Sequence, residues 1–197
     1  MYWQEKQNLL LKWKPKRRDK LLGSKLKNAA LSFIGNVRSK SILDIGCGKG
    51  KFVDQLRRLG ANSYGIDPQI NTSKFCKVGV AENLPFPNSF FNMVTILAAL
   101  DHFKSLDKVV SEINRVLTQH GKVFLLQTID RKPVLNDPTH LHSFTEKDLL
   151  ELFKEYRLIN YRRIYCFAYV LPNWFCCFLD RGIKLKKYVG FYMFKRY

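Results

Sequence analysis

The stretch Ser41-Ile42-Leu43-Asp44-Ile45-Gly46-Cys47-Gly48-Lys49-Gly50-Lys51-Phe52 runs from an unbroken apolar segment into three glycines spaced two apart, then into a helical pattern. It reads as a strand, a ligand loop and a helix start. Glycine lets the backbone turn tightly and lets a ligand approach without meeting a Cβ, and the free N–H groups of a helix start favour polar or anionic groups. The loop is therefore a nucleotide-type cradle. A dinucleotide fingerprint needs its third glycine where Lys51 stands, and a P-loop needs Gly-Lys-Ser/Thr after four spacer residues; neither pattern is met. Downstream, Asn62-Ser63-Tyr64-Gly65-Ile66-Asp67 reads as a second short strand ending in a carboxylate, a place suited to accepting hydrogen bonds from two ribose hydroxyls. Loop and acid together suit an adenosyl group without a diphosphate.

With these segments in view, the chain resembles a class I S-adenosylmethionine-dependent methyltransferase. Ile42 to Phe52 is similar to that family's glycine-rich first motif, and Tyr64-Gly-Ile-Asp67 to its ribose-binding acid. Gly79-Val-Ala-Glu-Asn-Leu-Pro-Phe-Pro-Asn-Ser-Phe resembles its adenine-side loop, and Glu112-Ile-Asn-Arg-Val-Leu with Gly121-Lys-Val-Phe-Leu-Leu the helix and fifth strand that follow. The resemblance covers roughly residues 40–150, with four motifs in register. It implies a Rossmann-like, doubly wound α/β fold, a mostly parallel seven-stranded sheet whose last strand is antiparallel. The implied cofactor is S-adenosylmethionine, held by Asp44, Gly46, Cys47, Gly48, Gly50, Asp67, Pro68, Ala81, Glu82 and Leu97. Asp101, His102 and His142 are the implied catalytic residues. Methyl would pass to an O, N or C nucleophile of an acceptor the sequence does not name. Two positions depart from the family: Val80 stands where an Asp commonly accepts from the adenine amino group, and Phe91-Asn92 where Phe-Asp usually opens the fourth strand.

A chain of 197 residues suffices for one compact domain and not for two full ones. The reading divides it into a basic helical extension, residues 1–40, and the methyltransferase domain with a basic, aromatic C-terminal part, residues 41–197. No stretch near the N-terminus reads as a secretory signal, because Lys12 and Lys14 interrupt Leu9-Leu10-Leu11 at once. Five cysteines without metal-like spacing (Cys47, Cys76, Cys166, Cys176, Cys177) favour a reducing, cytoplasmic compartment. The net charge of +18 is uneven: residues 1–40 carry 11 Lys or Arg against 2 acids, residues 41–150 carry 13 against 11, and residues 151–197 carry 10 against 3. Basicity confined to the flanks points to an anionic partner, a membrane surface or nucleic acid, against a plain reading as a solvated surface. A basic binding protein that keeps the fold without turnover is the alternative of another class; a nucleic-acid methyltransferase is the alternative within this one.

Apolar spacing predicts helices over 21–37, from Phe52 to Leu59, over 106–117 and from Glu146, the last with Thr145 as N-cap and Asp148 three residues on. Strands are expected at 76–80, 90–97, 123–129, 157–168 and 188–194. Asp101-His102-Phe103 follows the fourth strand, where the family places residues facing the transferred methyl, or else it is a helix cap. His140-Leu-His142 resembles a segment of relatives acting on small molecules or glycolipid-related acceptors. His142 suits a general base near neutral pH, or a loop-orienting hydrogen bond. Two histidines at i and i+2 with no Cys or acid cluster nearby in sequence do not predict a metal site. The C-terminal aromatics (Trp174, Phe175, Phe178, Tyr188, Phe191, Tyr192, Phe194, Tyr197) admit three readings, as core, as a base-stacking surface, or as an interfacial segment on anionic lipid. The run Leu171 to Asp180 is too short and interrupted to span a bilayer.

Overall fold

The computed structural model describes residues 17–69, 73–130, 140–165 and 187–197. Lys12, Lys14, Lys16, Cys166 and the segment from Leu171 to Asp180, with Trp174, Cys176 and Cys177, lie outside the described residues. In chain order the elements are α1 (Arg17–Ile34), β1 (Ser41–Ile45), α2 (Lys51–Arg58), β2 (Asn62–Asp67), β3 (Cys76–Val78), β4 (Phe91–Leu97), one 3₁₀ turn (Leu100–His102), α3 (Leu106–Val116), β5 (Leu117–Asp130), α4 (Glu146–Leu152), β6 (Tyr156–Tyr165) and β7 (Lys187–Arg196).

The strands form one sheet in the order β3-β2-β1-β4-β5-β7-β6. All neighbours pair in parallel except β7, which is antiparallel to both β5 and β6. Ile42, Leu43, Asp44 and Ile45 are all buried, as befits a central parallel strand covered on both faces. Alternation then sorts the side chains. Leu43 and Ile45 face a core shared with Val109 and Ile113 of α3 and Leu149 of α4. Ile42 faces the opposite core, built with Ala30 and Ile34 of α1, Phe52 and Leu56 of α2, and Phe124 and Phe191. Of the described C-terminal aromatics, Tyr188, Phe191, Tyr192 and Phe194 are buried and Tyr197 is exposed, so core packing accounts for most of them.

Several boundaries move for identifiable reasons. Helix α2 stops at Arg58, leaving Leu59 half exposed, because Gly60 takes a φ of 87° and turns the chain back beside Arg38. Strand β5 starts six residues before the expected 123: Leu117 pairs with Phe91, and an irregularity between Phe91 and Met93 with His120 at φ 63° absorbs the extra residues. Asn92 lies at the opposite end of β4 from the ligand loop. Its side-chain oxygen accepts from the Ser41 N–H at 2.9 Å, tying the entry of β4 to that of β1. That departure from the family pattern concerns the sheet, not the site. Helix α4 begins as its sequence predicts, with Thr145 and Asp148 forming a reciprocal capping box.

Candidate functional site

Sequence order reverses in the sheet between β1 and β4, and a crevice at the carboxyl ends of strands flanking such a point is the general ligand site of open α/β sheets. A cavity of about 320 Å³ lies there. Its walls come from the ends of β1 (Ile45, Gly46, Gly48), β2 (Ile66, Asp67, Pro68, Gln69), the segment after β3 (Gly79, Val80, Ala81, Glu82) and the turn after β4 (Ala98, Ala99, His102, Phe103). Seven of the expected site residues therefore line one cavity: Gly46, Gly48, Asp67, Pro68, Ala81, Glu82 and His102.

The glycine loop is held by its own backbone donors. The Gly46 and Cys47 N–H groups both donate to the Ile66 carbonyl at 2.9 and 3.2 Å, Gly50 N–H donates to Cys47 O at 3.0 Å, and Gly48 N–H donates to Asp67 Oδ2 at 2.8 Å. These four donors are spent within the protein, so the turn itself presents bare backbone to the cavity and the N–H groups of the following helix start are not among those it uses. Gly46, Gly48 and Gly50 adopt φ of 75°, 53° and 73°. A Cβ on Gly46 would sit 2.4 Å from Ala99 Cβ, and one on Gly50 2.5 Å from Ser73 Cβ, whereas one on Gly48 meets nothing within 4 Å. Gly46 and Gly50 are thus required by packing as well as by their backbone angles, whereas Gly48 borders open space on the cavity side.

Asp67 is fixed by two backbone donors, Gly48 N–H on Oδ2 and Gln69 N–H on Oδ1 at 2.9 Å. A carboxylate oxygen accepts more than one hydrogen bond, so both oxygens keep capacity for a diol. Glu82 also has a structural task. Its Oε1 accepts from the Lys104 and Ser105 N–H groups at 2.7 and 3.2 Å, capping α3, whose own N-cap Ser105 makes no side-chain cap. The loop between Val80 and Asn88 is clamped from α3: Arg115 donates to the Leu84, Phe86 and Asn88 oxygens, and Glu112 accepts from the Leu84 N–H. The Arg115 guanidinium holds the Glu112 carboxyl below its usual range. The sequence motif Glu112 to Leu117 thereby acquires a physical reason, since it fixes one wall of the cavity.

Asp44 does not line the cavity. It is 2% exposed, accepts from the Thr95 hydroxyl at 2.7 Å, and burial pushes its carboxyl up to about 7, against the lowering effects of Thr95 and Lys27. Cys47, Gly50 and Leu97 likewise stand behind or beside the lining residues. Burial raises the Cys47 thiol far above its ordinary range, and that of Cys76 in the same direction. His142 is outside the lining as well; its Nε2 donates to the Phe103 carbonyl at 2.8 Å, holding the 140–144 segment against the turn that carries His102. Asp101 is buried behind His102 and its carbonyl accepts from the Leu141 and His142 N–H groups at 2.7 and 3.2 Å. Sequence reading does not single out Ala98, Ala99 or Gln69 as lining; only their position just beyond strand ends could signal them.

Residues 43–125, from the first motif through the fifth strand, match the family model described as a methyltransferase domain. Over these residues the chain is similar to the class I S-adenosylmethionine-dependent methyltransferase domain. S-adenosylmethionine is the cofactor of that domain. Among curated relatives, the sterol 4-C-methyltransferase strm-1 of Caenorhabditis elegans is 29% identical over 132 residues, 56% of this chain and 40% of its own length. The uncharacterized methyltransferase YcgJ of Bacillus subtilis is 27% identical over 143 residues, 59% of this chain and 56% of its own. The chain thus spans about half the length of these curated relatives. The crystal structure of YcgJ from Bacillus subtilis superposes with a TM-score of 0.62 at 20% identity, covering 86% of this chain and 99% of that one. Phosphoethanolamine N-methyltransferase 2 of Haemonchus contortus, in complex with S-adenosyl-L-methionine, gives 0.66 at 17% identity, covering 87% and 52%. At such identities the two structures show the shared methyltransferase fold. Among the described residues no helix is long and apolar enough to cross a membrane.

Proposed function

We propose that the chain is a methyltransferase that uses S-adenosylmethionine to methylate an O, N or C nucleophile of a lipid- or glycan-linked small molecule in the cytoplasm, at or near an anionic membrane surface. One observation carries the cofactor half of this reading: a carboxylate, Asp67, locked by two backbone donors onto the edge of a glycine-floored cavity, with acceptor capacity remaining. Bound S-adenosylmethionine supplies an electrophilic methyl group whose transfer depends on in-line approach of the acceptor. Asp67 would hold the ribose hydroxyls. Ile66, Val80, Ala81 and Phe103 offer apolar wall to the adenine, in place of the side-chain acceptor that Val80 does not provide. His102 and Phe103 stand on the wall after β4, where the family resemblance places the reacting groups. His142 would position that turn through the Phe103 carbonyl.

Calorimetric titration with S-adenosylmethionine and S-adenosylhomocysteine tests this directly. Asp67→Ala should weaken binding by roughly 1–3 kcal/mol, the range for losing a charged hydrogen-bond acceptor. No binding to the unaltered protein would end the enzymatic reading, and equal affinity in a folded variant would remove Asp67 from the site.

The acceptor half rests on the basic flanks. Relatives by name act on sterols, on tRNA U34 and in ubiquinone biosynthesis, so their names do not single out one acceptor class. A nearly neutral central region between strongly basic flanks suits an anionic surface next to the site. The protein should therefore sediment with phosphatidylglycerol vesicles, with binding that falls steeply as salt rises. Preference for RNA in gel shifts at the same salt would replace the lipid reading, and binding to neither at physiological salt would leave the charge as a solvated surface.

A further inference from the structure

The fold brings together three groups that the sequence keeps apart. Asp101 and His102 sit in the 3₁₀ turn after β4, and His140 arrives from a segment almost 40 residues later. His140 Nε2 lies 3.3 Å from Asp101 Oδ2, His102 Nε2 lies 3.9 Å from Asp101 Oδ1, and one donor atom from each residue falls within 4.8 Å of the others. The geometry points to a divalent transition-metal site made by Asp101, His102 and His140, open toward the cavity at His102.

Chemistry and spacing agree. Two imidazoles and a carboxylate are a recurring donor set for zinc and iron(II), leaving coordination positions for water or substrate. With bonds of roughly 2.0–2.1 Å at tetrahedral angles, donor atoms stand about 3.3 Å apart, the spacing already present between His140 and Asp101. Closing the His102 edge needs only side-chain rotation, and both histidines are partly exposed. A second, independent observation is the carboxylate itself. Asp101 is 6% exposed, yet its Oδ1, the oxygen facing His102, has no hydrogen-bond partner among the described residues. A buried unsatisfied carboxylate oxygen calls for a ligand that the protein does not itself supply. The surrounding backbone also fixes the donors: the Leu141 and His142 N–H groups bond the Asp101 carbonyl, and His142 holds Phe103, so the two segments bearing the ligands are stitched together. Reading the sequence against a metal site considered His140 with His142; the fold substitutes Asp101 and His102 for His142.

Because His102 also lines the cofactor cavity, a metal here would face the acceptor. Such an ion lowers the pKa of a bound hydroxyl, whose proton leaves to water and whose oxygen becomes the better nucleophile. This role rests on the methyltransferase reading and selects oxygen acceptors; the metal site itself does not depend on it.

Cobalt(II) titrated into chelator-stripped full-length protein, followed by visible absorption and calorimetry, tests the site without reference to turnover. One equivalent should bind, with ligand-field bands and no thiolate charge-transfer band, and zinc should displace it. Asp101→Asn and His140→Gln should each weaken binding at least tenfold while S-adenosylhomocysteine binding, measured in parallel, shows that the variants are folded. Absence of binding to the unaltered protein, a thiolate band pointing to Cys47 and Cys76, or unchanged affinity in either folded variant would overturn the proposal. Loss of cofactor binding with cobalt binding intact would instead count against the methyltransferase reading alone.

Discussion

Gly46→Ala is expected to destabilise the protein by roughly 2–5 kcal/mol, while Gly48→Ala, two residues away, costs only roughly 1–2 kcal/mol of stability and is felt in cofactor affinity as well. Both glycines have positive φ, so both substitutions carry the left-handed penalty of roughly 1–2 kcal/mol. They differ in what the new methyl meets. At Gly46 it would lie 2.4 Å from Ala99 Cβ, on the turn that continues β4, and neither segment can retreat without breaking the paired ends of β1 and β4. Overpacking of that kind adds roughly 1–3 kcal/mol. At Gly48 the methyl has open space within 4 Å because that space is the cavity. Chemical denaturation should therefore separate the two variants clearly, and calorimetry with S-adenosylhomocysteine should show the Gly48 variant folded but at least tenfold weaker. Similar losses of stability in both would mean that the loop's glycines serve the turn alone and that Gly48 leaves room for nothing.

What the sequence made legible, and what it hid, follows from how far along the chain each signal reaches. Strand β1, the glycine loop, Asp67 and the capped start of α4 are written in runs of a few residues, and all appear where the local pattern puts them. The antiparallel β7 came from the family resemblance, since nothing local distinguishes a buried strand's direction. The early start of β5 was hidden because Leu117-Thr-Gln-His-Gly121 has no strand alternation; its pairing is dictated by Phe91, on another element. The fate of the loop's backbone N–H groups is hidden for a similar reason: those of Gly46, Cys47 and Gly48 are taken up by Ile66 and Asp67 of β2. Glu82 as a cap for α3, Arg115 as a clamp on the adenine-side loop, and the meeting of Asp101 with His140 are all tertiary facts of this kind. Each involves a residue type that sequence reading had noticed and assigned to its own neighbourhood.

Asp44→Asn should stabilise the ligand-free protein above neutral pH while weakening its hold on the cofactor. Asp44 is the fourth residue of the central, buried strand β1, its carboxylate accepts a short hydrogen bond from Thr95, and burial raises its carboxyl from an ordinary 3.8 to about 7. The sign follows from proton counting. Between about pH 4 and 7 the folded state holds a proton that the unfolded state has released, so stability falls as pH rises through this window and levels off above about 7. At 1.36 kcal/mol per pH unit the full cost of the buried charge is at most roughly 4 kcal/mol. Asparagine keeps an acceptor for the Thr95 hydroxyl and removes the charge, although its amide N–H groups then need partners, so a net gain of roughly 1–4 kcal/mol is expected at pH 8. Urea denaturation of both proteins from pH 5 to 8 should show a declining midpoint for the natural sequence and a flatter one for the variant. A pH-independent difference would mean that Asp44 is ionised throughout and already compensated, with Lys27 as the nearest candidate. The proposed cofactor would give such a costly residue a task. S-adenosylmethionine is cationic at its sulfonium and amino groups, and a carboxylate one residue behind the cavity-lining Ile45 attracts it in a low-dielectric setting. Binding should then draw Asp44 into its ionised form, so that proton release accompanies cofactor binding below pH 7 and disappears in the variant. Isothermal titration in buffers of different ionisation enthalpy reads that proton directly, and an equal count for both proteins would separate the stability of this strand from its function.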